Sequence, residues 1–372
     1  MDYEIYIRHT DWEGICYFEN NKIYRKNITT EYGNYNLNKN ILTIYWENWS
    51  SEIFIKDNNY IYYLSKKYNN IIYNKNISDN ISNISLCNKN IIISLSPYAI
   101  KDTLNINLLN NTIINKNIYC NNDFYEASYT IIIELLNYSE SIIINIDNYS
   151  IYLEQLNIKK HNISAMTLFK DDYNLLKRYL KYYSNLGVDV FFVYYNNEIN
   201  DNIIKLINEN NNYNIYLIEW NYKYWHSKDQ HNAQTMAIND SLHILKNYGN
   251  YTLYNDLDEF IILDDYNNFN DMISLNDDID IFQFKNRFCK MGNELIKYED
   301  FDNVFDLSKI IKGNYWDKYR EKLLINLNKI NIMGIHKVFN YKSNNTKYIS
   351  EFYHIINFKE KYREDLMTEW IT

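Results

Sequence analysis

Short alternating runs of apolar and polar residues fill the first 158 positions, and alternation with a period of two marks half-buried strands. The pattern predicts strands over 4–8, 14–19, 22–25, 41–46, 52–55 and 60–64. Turn-forming stretches such as 19–22 and 57–59 separate them, as in meanders. The texture continues over 91–95, 104–109, 117–120, 128–136, 141–146 and 150–155, with the single proline, Pro97, between two of these runs. A β-sandwich or a pair of small sheets suits this region, with a break near 75–90 if it forms two subdomains.

The rhythm changes near Lys159. Residues 163–169 read as a buried strand. Over 171–186, Leu175, Leu176, Tyr179, Leu180, Tyr183 and Leu186 share one face at helical spacing, and Gly187 closes the helix. Strands at 188–194, 213–220 and 251–254 then alternate with helices at 201–209 and 229–246. Such alternation predicts a mostly parallel sheet with helices on both faces, and ligands bind such sheets at the carboxyl ends of the strands. The expected organisation is a β-rich region over 1–158 and an α/β domain over 159–372.

Three acids, Asp256, Asp258 and Glu259, crowd into four positions between two apolar runs. Residues i and i+2 of a strand point the same way, so Asp256 and Asp258 would project into one cleft. Carboxylates sharing a site repel unless a hard divalent cation neutralises them. That is the physics of the Asp-x-Asp motif of nucleotide-sugar glycosyltransferases. The plain alternative is an acidic turn between hairpin strands, and with 47 Asp and Glu a bare Asp-x-Asp arises readily.

Composition refines this picture. The chain has 40 Tyr, one Pro and seven Gly and is rich in Asn, Ile and Lys, a set that shares AT-rich codons. Asn-rich stretches such as 69–83 would suggest disorder, but Ile and Tyr run through them and 46% hydrophobic content supports a folded chain. A net charge of −9 argues against nucleic acid as a partner. The first residues lack the pattern of a signal peptide, and no apolar run approaches the ~20 residues of a membrane span. Cys16, Cys87, Cys120 and Cys289 show no paired spacing and read as reduced thiols. A soluble, cytoplasmic protein is expected. Trp12, Trp46 and Trp49 could stack on sugar rings or, as the preferred reading, fill the core of a small sheet.

Taken together, Leu168 to Asn197, Ala233 to Leu242 and Tyr254 to Leu263 resemble glycosyltransferase family 92 and its family 2-like relatives. The matching residues are Phe169, Lys170 and Asp172; Leu186 to Asp189; Tyr194 and Asn196; Gln234, Ala237 and Asn239; and Asp256, Asp258, Glu259 and Phe260. The likeness covers about 159–360. Asp172 stands where the family usually has Glu, Arg178 and Tyr179 where it has Glu-Trp, and Tyr183 where a His is frequent. Asp201 is what remains of a Ser and Asp pair after the second strand.

The resemblance implies a GT-A fold that binds a nucleoside-diphosphate sugar, a UDP-sugar favoured, through Asp-x-Asp and Mn²⁺ or Mg²⁺. Lys170, Asp172, Asn196, Asp201, Gln234, Asn239 and Asp256 are the donor-binding candidates; Asp172 could equally be a plain helix N-terminus. Asp256, Asp258 and His336 are the metal candidates, because a late histidine often completes such sites; His354 reads rather as a core or surface residue. Glu259, Glu294, Glu299 and Asp300 are the candidates for the base. Arg320, Glu321 and Lys322 precede an apolar strand over 323–325, and similar family members carry a basic residue there.

The expected function is metal-dependent transfer of a sugar, with inversion, to a glycan or other hydroxyl acceptor, by a monomer or a homo-oligomer. The alternative is a carbohydrate-binding scaffold on a decayed transferase. A nucleotidyltransferase would need a Gly-rich phosphate loop, which seven dispersed glycines do not supply.

Overall fold

A computed structural model describes residues 4–8, 13–19, 22–25, 28–38, 41–47, 52–57, 60–68, 71–72, 81–95, 104–108, 111–121, 126–146, 149–222, 224, 232–315, 320–339 and 345–361. Trp12, Trp49, Pro97 and the first turn expected of the third helix, 229–231, lie outside the described residues. The chain divides into two compact units. The first comprises Met1–Ile91, Tyr98–Asn117 and Ile132–Leu156, and the second Ile92–Pro97, Ile118–Ile131 and Asn157–Thr372.

The first unit is built of strands. Glu4–Arg8, Glu13–Glu19, Lys22–Arg25, Ile28–Asn38, Ile41–Trp46, Glu52–Asp57 and Tyr60–Tyr68 pair antiparallel in succession. The last then pairs parallel with the first, Tyr6 opposite Tyr60 and Arg8 opposite Tyr62. An odd number of alternating strands brings the two end strands into the same direction, so the ring closes parallel and leaves no open edge. Cys16, Phe18, Ile23, Leu42, Ile44 and Trp46 form its core, with the Tyr35 ring edge-on to Phe18. Trp46 is therefore a core residue. Ile28–Asn38 has no sequence signal, because Asn, Thr and Gly interrupt its alternation. Ile106–Leu108, Ser141–Ile146 and Tyr149–Glu154 form a three-stranded antiparallel sheet.

The second unit is mixed α/β. Over 157–361 its strands are β1 (Ile163–Phe169), β2 (Val190–Tyr195), β3 (Ile215–Glu219), β4 (Tyr251–Tyr254), β5 (Glu259–Ile261), β6 (Ile281–Met291), β7 (Ile310–Tyr315), β8 (Lys322–Asn326) and β9 (Thr346–Ile355). Strand pairs β3–β2, β2–β1 and β1–β4 are parallel. Beyond β4 the sheet is mixed: β8 is antiparallel to both β4 and β6, β6 is parallel to β9, and β9 is antiparallel to β5. The parallel half is thus four strands, and the expected mostly parallel sheet is a large mixed one.

The helices are α1 (Leu176–Asn185), α2 (Asp201–Glu209), α3 (Asn232–Leu245), α4 (Phe269–Ser274) and α5 (Phe301–Val304). Helix α1 begins later than its periodicity predicts, after a 3₁₀ turn at Tyr173–Leu175. It buries Leu176, Tyr179, Leu180 and Tyr183, and Gly187 follows its end at φ +96°, where a side chain would be strained. Asn200 caps α2 by accepting from the N–H groups of Asn202 and Ile203. Strand β6 runs on to Met291. Among the described residues, no helix is long and apolar enough to cross a membrane.

Candidate active site

Strand β4 ends at Tyr254, and β5 starts at Glu259. The acids between them occupy a turn, so the same-side rule for strands does not apply. Leu257 is buried at 1% exposure, and the two aspartates face different partners. Asp256 faces Lys322 and Gln234, with Lys322 Nζ at 3.1 Å from Oδ2 and Gln234 Nε2 donating to Oδ1 at 3.3 Å. Asp258, 3% exposed, has His354 Nε2 at 3.5 Å and Lys361 Nζ at 3.6 Å from Oδ2.

Helix α1 holds this turn from below. The Tyr179 hydroxyl donates to Asn255 Oδ1, and Asn255 Nδ2 donates to the Tyr183 hydroxyl, both at 2.8 Å. The Tyr183 hydroxyl in turn donates to the Glu259 carbonyl at 2.8 Å and accepts from the Ile261 N–H at 3.1 Å. Tyr179 and Tyr183 therefore satisfy buried polar groups beneath the acids.

Register explains the basic partners. Lys322 is the first residue of β8, next to Leu323, which pairs with Tyr254, so its side chain meets the end of β4. Its ammonium lies 2.9 Å from Glu259 Oε2, and that oxygen also accepts the Asp256 N–H at 2.8 Å. Burial opposes charge on Lys322, but Asp256 and Glu259 outweigh it and raise its pKa. Burial likewise opposes charge on Asp256, and there Lys322 prevails and holds the carboxyl below its ordinary value. Glu259 is more enclosed; burial keeps its carboxyl above the ordinary range despite Lys322. His354 sits opposite Glu259 in the β5–β9 ladder, which brings it to the turn from nearly a hundred residues away.

A cleft of about 910 Å³ opens at these strand ends. Of the expected donor-binding residues, Lys170, Asp172, Asn196, Gln234 and Asp256 line it, with Asp258, Glu259 and His336. Burial pushes the Asp172 carboxyl up to about 6, with Asp258 adding to the rise and Lys361 opposing it. Asn196 uses its amide nitrogen on the Trp220 and Tyr222 carbonyls, at 2.7 and 2.8 Å.

The other candidates stand elsewhere. Asp201 occupies the exposed first turn of α2. Asn239 is 2% exposed and spends its amide on Met333, donating to its carbonyl at 2.7 Å and accepting its N–H at 2.9 Å. Glu294, Glu299 and Asp300 are exposed and do not line the cleft; Glu299 pairs with Lys297 at 3.1 Å. Of the candidate bases only Glu259 lines the cleft, where its ion pair gives it a structural task. His336 lies in the cleft wall with Nδ1 at 3.0 Å from the Glu321 carbonyl, and burial, then Lys322, push its imidazole down to about 3. The histidine at Asp258 is His354. Its sequence signal, a histidine inside an apolar run, does not separate a core residue from a site residue.

The cleft also contains Arg320 and, outside any motif, Glu126, Asn286, Tyr298, Glu360 and Lys361. Open α/β sheets bind ligands outside the carboxyl ends of their strands, which is where this cleft lies. A family model described as Glycosyltransferase family 92 matches residues 159–371. The chain belongs to glycosyltransferase family 92, which carries a transferase role, a sugar donor and a glycan acceptor. No curated protein matches the chain. Among solved structures it is similar to "Crystal structure of HddC from Yersinia pseudotuberculosis", at 13% identity over 53% of this chain and 95% of that one, with a TM-score of 0.32.

Proposed function

We propose that the chain is a metal-dependent hexosyltransferase of GT-A type. It moves a sugar from a nucleoside-diphosphate donor, a UDP-sugar favoured, to a glycan hydroxyl with inversion. The observation that carries this reading is the buried Asp258 carboxylate, held between His354 and Lys361 in a cleft at the carboxyl end of the parallel strands. The order β3-β2-β1-β4, continued by antiparallel β8, supports the GT-A reading.

The residues fit a hard divalent cation. Asp258 offers an anionic oxygen and His354 an imidazole nitrogen 3.5 Å apart, long for a hydrogen bond. Two atoms each about 2.1 Å from one ion stand about 3–4 Å apart. Among the described residues, no three His, Cys, Asp or Glu side chains group around one point, so the donor diphosphate and water would complete the shell. Mn²⁺ or Mg²⁺ there would neutralise the leaving diphosphate. Asp256, balanced by Lys322, acts on the donor rather than as a direct ligand. Lys170, Arg320 and Lys361 bring positive charge to the diphosphate, and Asp172 accepts from the nucleoside. The β-rich region serves acceptor binding or assembly, and the enzyme works in the cytoplasm.

The test is a panel of UDP-, GDP- and dTDP-sugars assayed for Mn²⁺-dependent nucleotide release, with Asp258→Asn beside the wild type. Release from one donor class is expected, and Mn²⁺ affinity measured with UDP should weaken at least about tenfold in the variant, the loss of one anionic ligand. Unchanged affinity would refute the metal site. Nucleotide binding without turnover would favour the sugar-binding scaffold.

A further inference from the structure

The segment that matches the family begins at residue 159, yet one wall of the cleft includes Glu126. Residues 118–131 belong to the same compact unit as 157–372. Glu126 Oε2 accepts the Ile335 N–H at 3.2 Å. Ile335 and His336 sit near the tip of a small hairpin over 332–339. That hairpin is closed by Met333 pairing with Val338, by the Gly334 N–H to the Lys337 carbonyl at 2.9 Å and by the Phe339 N–H to the Ile332 carbonyl at 3.1 Å. Asn239 pins its base through both backbone groups of Met333. Both Ile335 and His336 line the cleft.

Gly334 supplies an independent sign that the hairpin is shaped around this carboxylate. A Cβ there would lie 1.8 Å from Glu126 Oε2 and 2.8 Å from Phe339 Cε2, while its φ is not in the left-handed region. The glycine is needed for space and not for backbone freedom. In a chain with seven glycines, one stands where Glu126 approaches the backbone.

We propose that Glu126, from outside the family-matched segment, is a positioning residue of the active cleft: it fixes the hairpin that presents Ile335 and His336 to the substrate. That this hairpin faces substrate rests on the transferase reading; the clamp itself does not. A buried N–H deprived of its acceptor is costly, so losing the carboxylate should free the hairpin rather than be silent.

The experiment uses the full chain as wild type, Glu126→Ala, Glu126→Gln and Gly334→Ala. Amide hydrogen exchange across 332–339 reads the clamp, and Mn²⁺-dependent nucleotide release from the best donor of the panel reads the cleft. Glu126→Ala should speed exchange at Ile335 at least about tenfold and lower kcat/KM about tenfold. Glu126→Gln keeps an acceptor oxygen and should restore both. Gly334→Ala should reproduce the alanine variant with Glu126 intact. Unchanged Ile335 exchange in Glu126→Ala overturns the clamp. Faster exchange with unchanged kcat/KM overturns the positioning role. If the wild type releases nucleotide from no donor, the transferase reading fails, while exchange still decides the clamp.

Discussion

Replacing Lys322 with Met tests the charge balance beneath the cleft. Lys322 is 2% exposed and sits 3.1 Å from Asp256 and 2.9 Å from Glu259. Methionine nearly conserves the buried stem, so the packing change is small. What remains is two carboxylates without their cation. Removing one partner of a buried ion pair costs about 3–5 kcal/mol. For a unit of this size that lowers the melting temperature by about 10 °C. The loss should depend on pH. In the wild type the raised Lys322 pKa gives stability that is present below its ordinary value and lost only as pH rises through the folded one, outside the range of ordinary assays. In the variant, Glu259, already raised by burial, loses the cation that opposes the rise. A carboxyl raised on folding favours the native state below its unfolded pKa and disfavours it as pH climbs through the folded value. The destabilisation should therefore be largest at pH 8 and shrink toward pH 5. Urea melts at pH 5, 6.5 and 8 measure it, and adding Glu259→Gln should recover part of the loss. A cost below about 1 kcal/mol at pH 8, or one equal at both ends of the range, would refute the reasoning.

Asp172→Asn should stabilise the protein at pH 8 and leave it unchanged near pH 4, because the wild-type carboxyl is raised from 3.8 to about 6. Its contribution is present below 3.8 and lost as pH rises through 6, a difference of up to about 3 kcal/mol that paired melts at the two pH values would show. A fragment starting at residue 159 should melt at least about 5 °C below the full chain or aggregate. It lacks Ser94, whose hydroxyl donates to the buried Asp240 carboxylate at 2.6 Å, and Tyr119, whose ring lies 5.0 Å from the buried His243. A soluble fragment with an unchanged melting temperature would count against this.

The sequence alone determined the change of texture near Lys159, the period of α1, the position of α2 and the run of acids after Tyr254, though not that these acids lie in a turn and face different partners. Each rests on local signals: apolar spacing, turn residues and a run of like charges. Family membership was legible in the same stretch, because its matching residues are close in sequence. Tertiary structure decided the rest. Lys322 and His354 reach the acids through strand register, and register is fixed by pairings between strands far apart in the chain. Asn239 looked like a donor contact, yet its partner is the Met333 backbone, which no local pattern reveals. The sheet becomes mixed because β8 inserts antiparallel between β4 and β6, a choice made by long-range packing. Glu126 lies outside any motif, and only the fold brings it to a glycine more than two hundred residues later, where the absent side chain leaves room for a carboxylate.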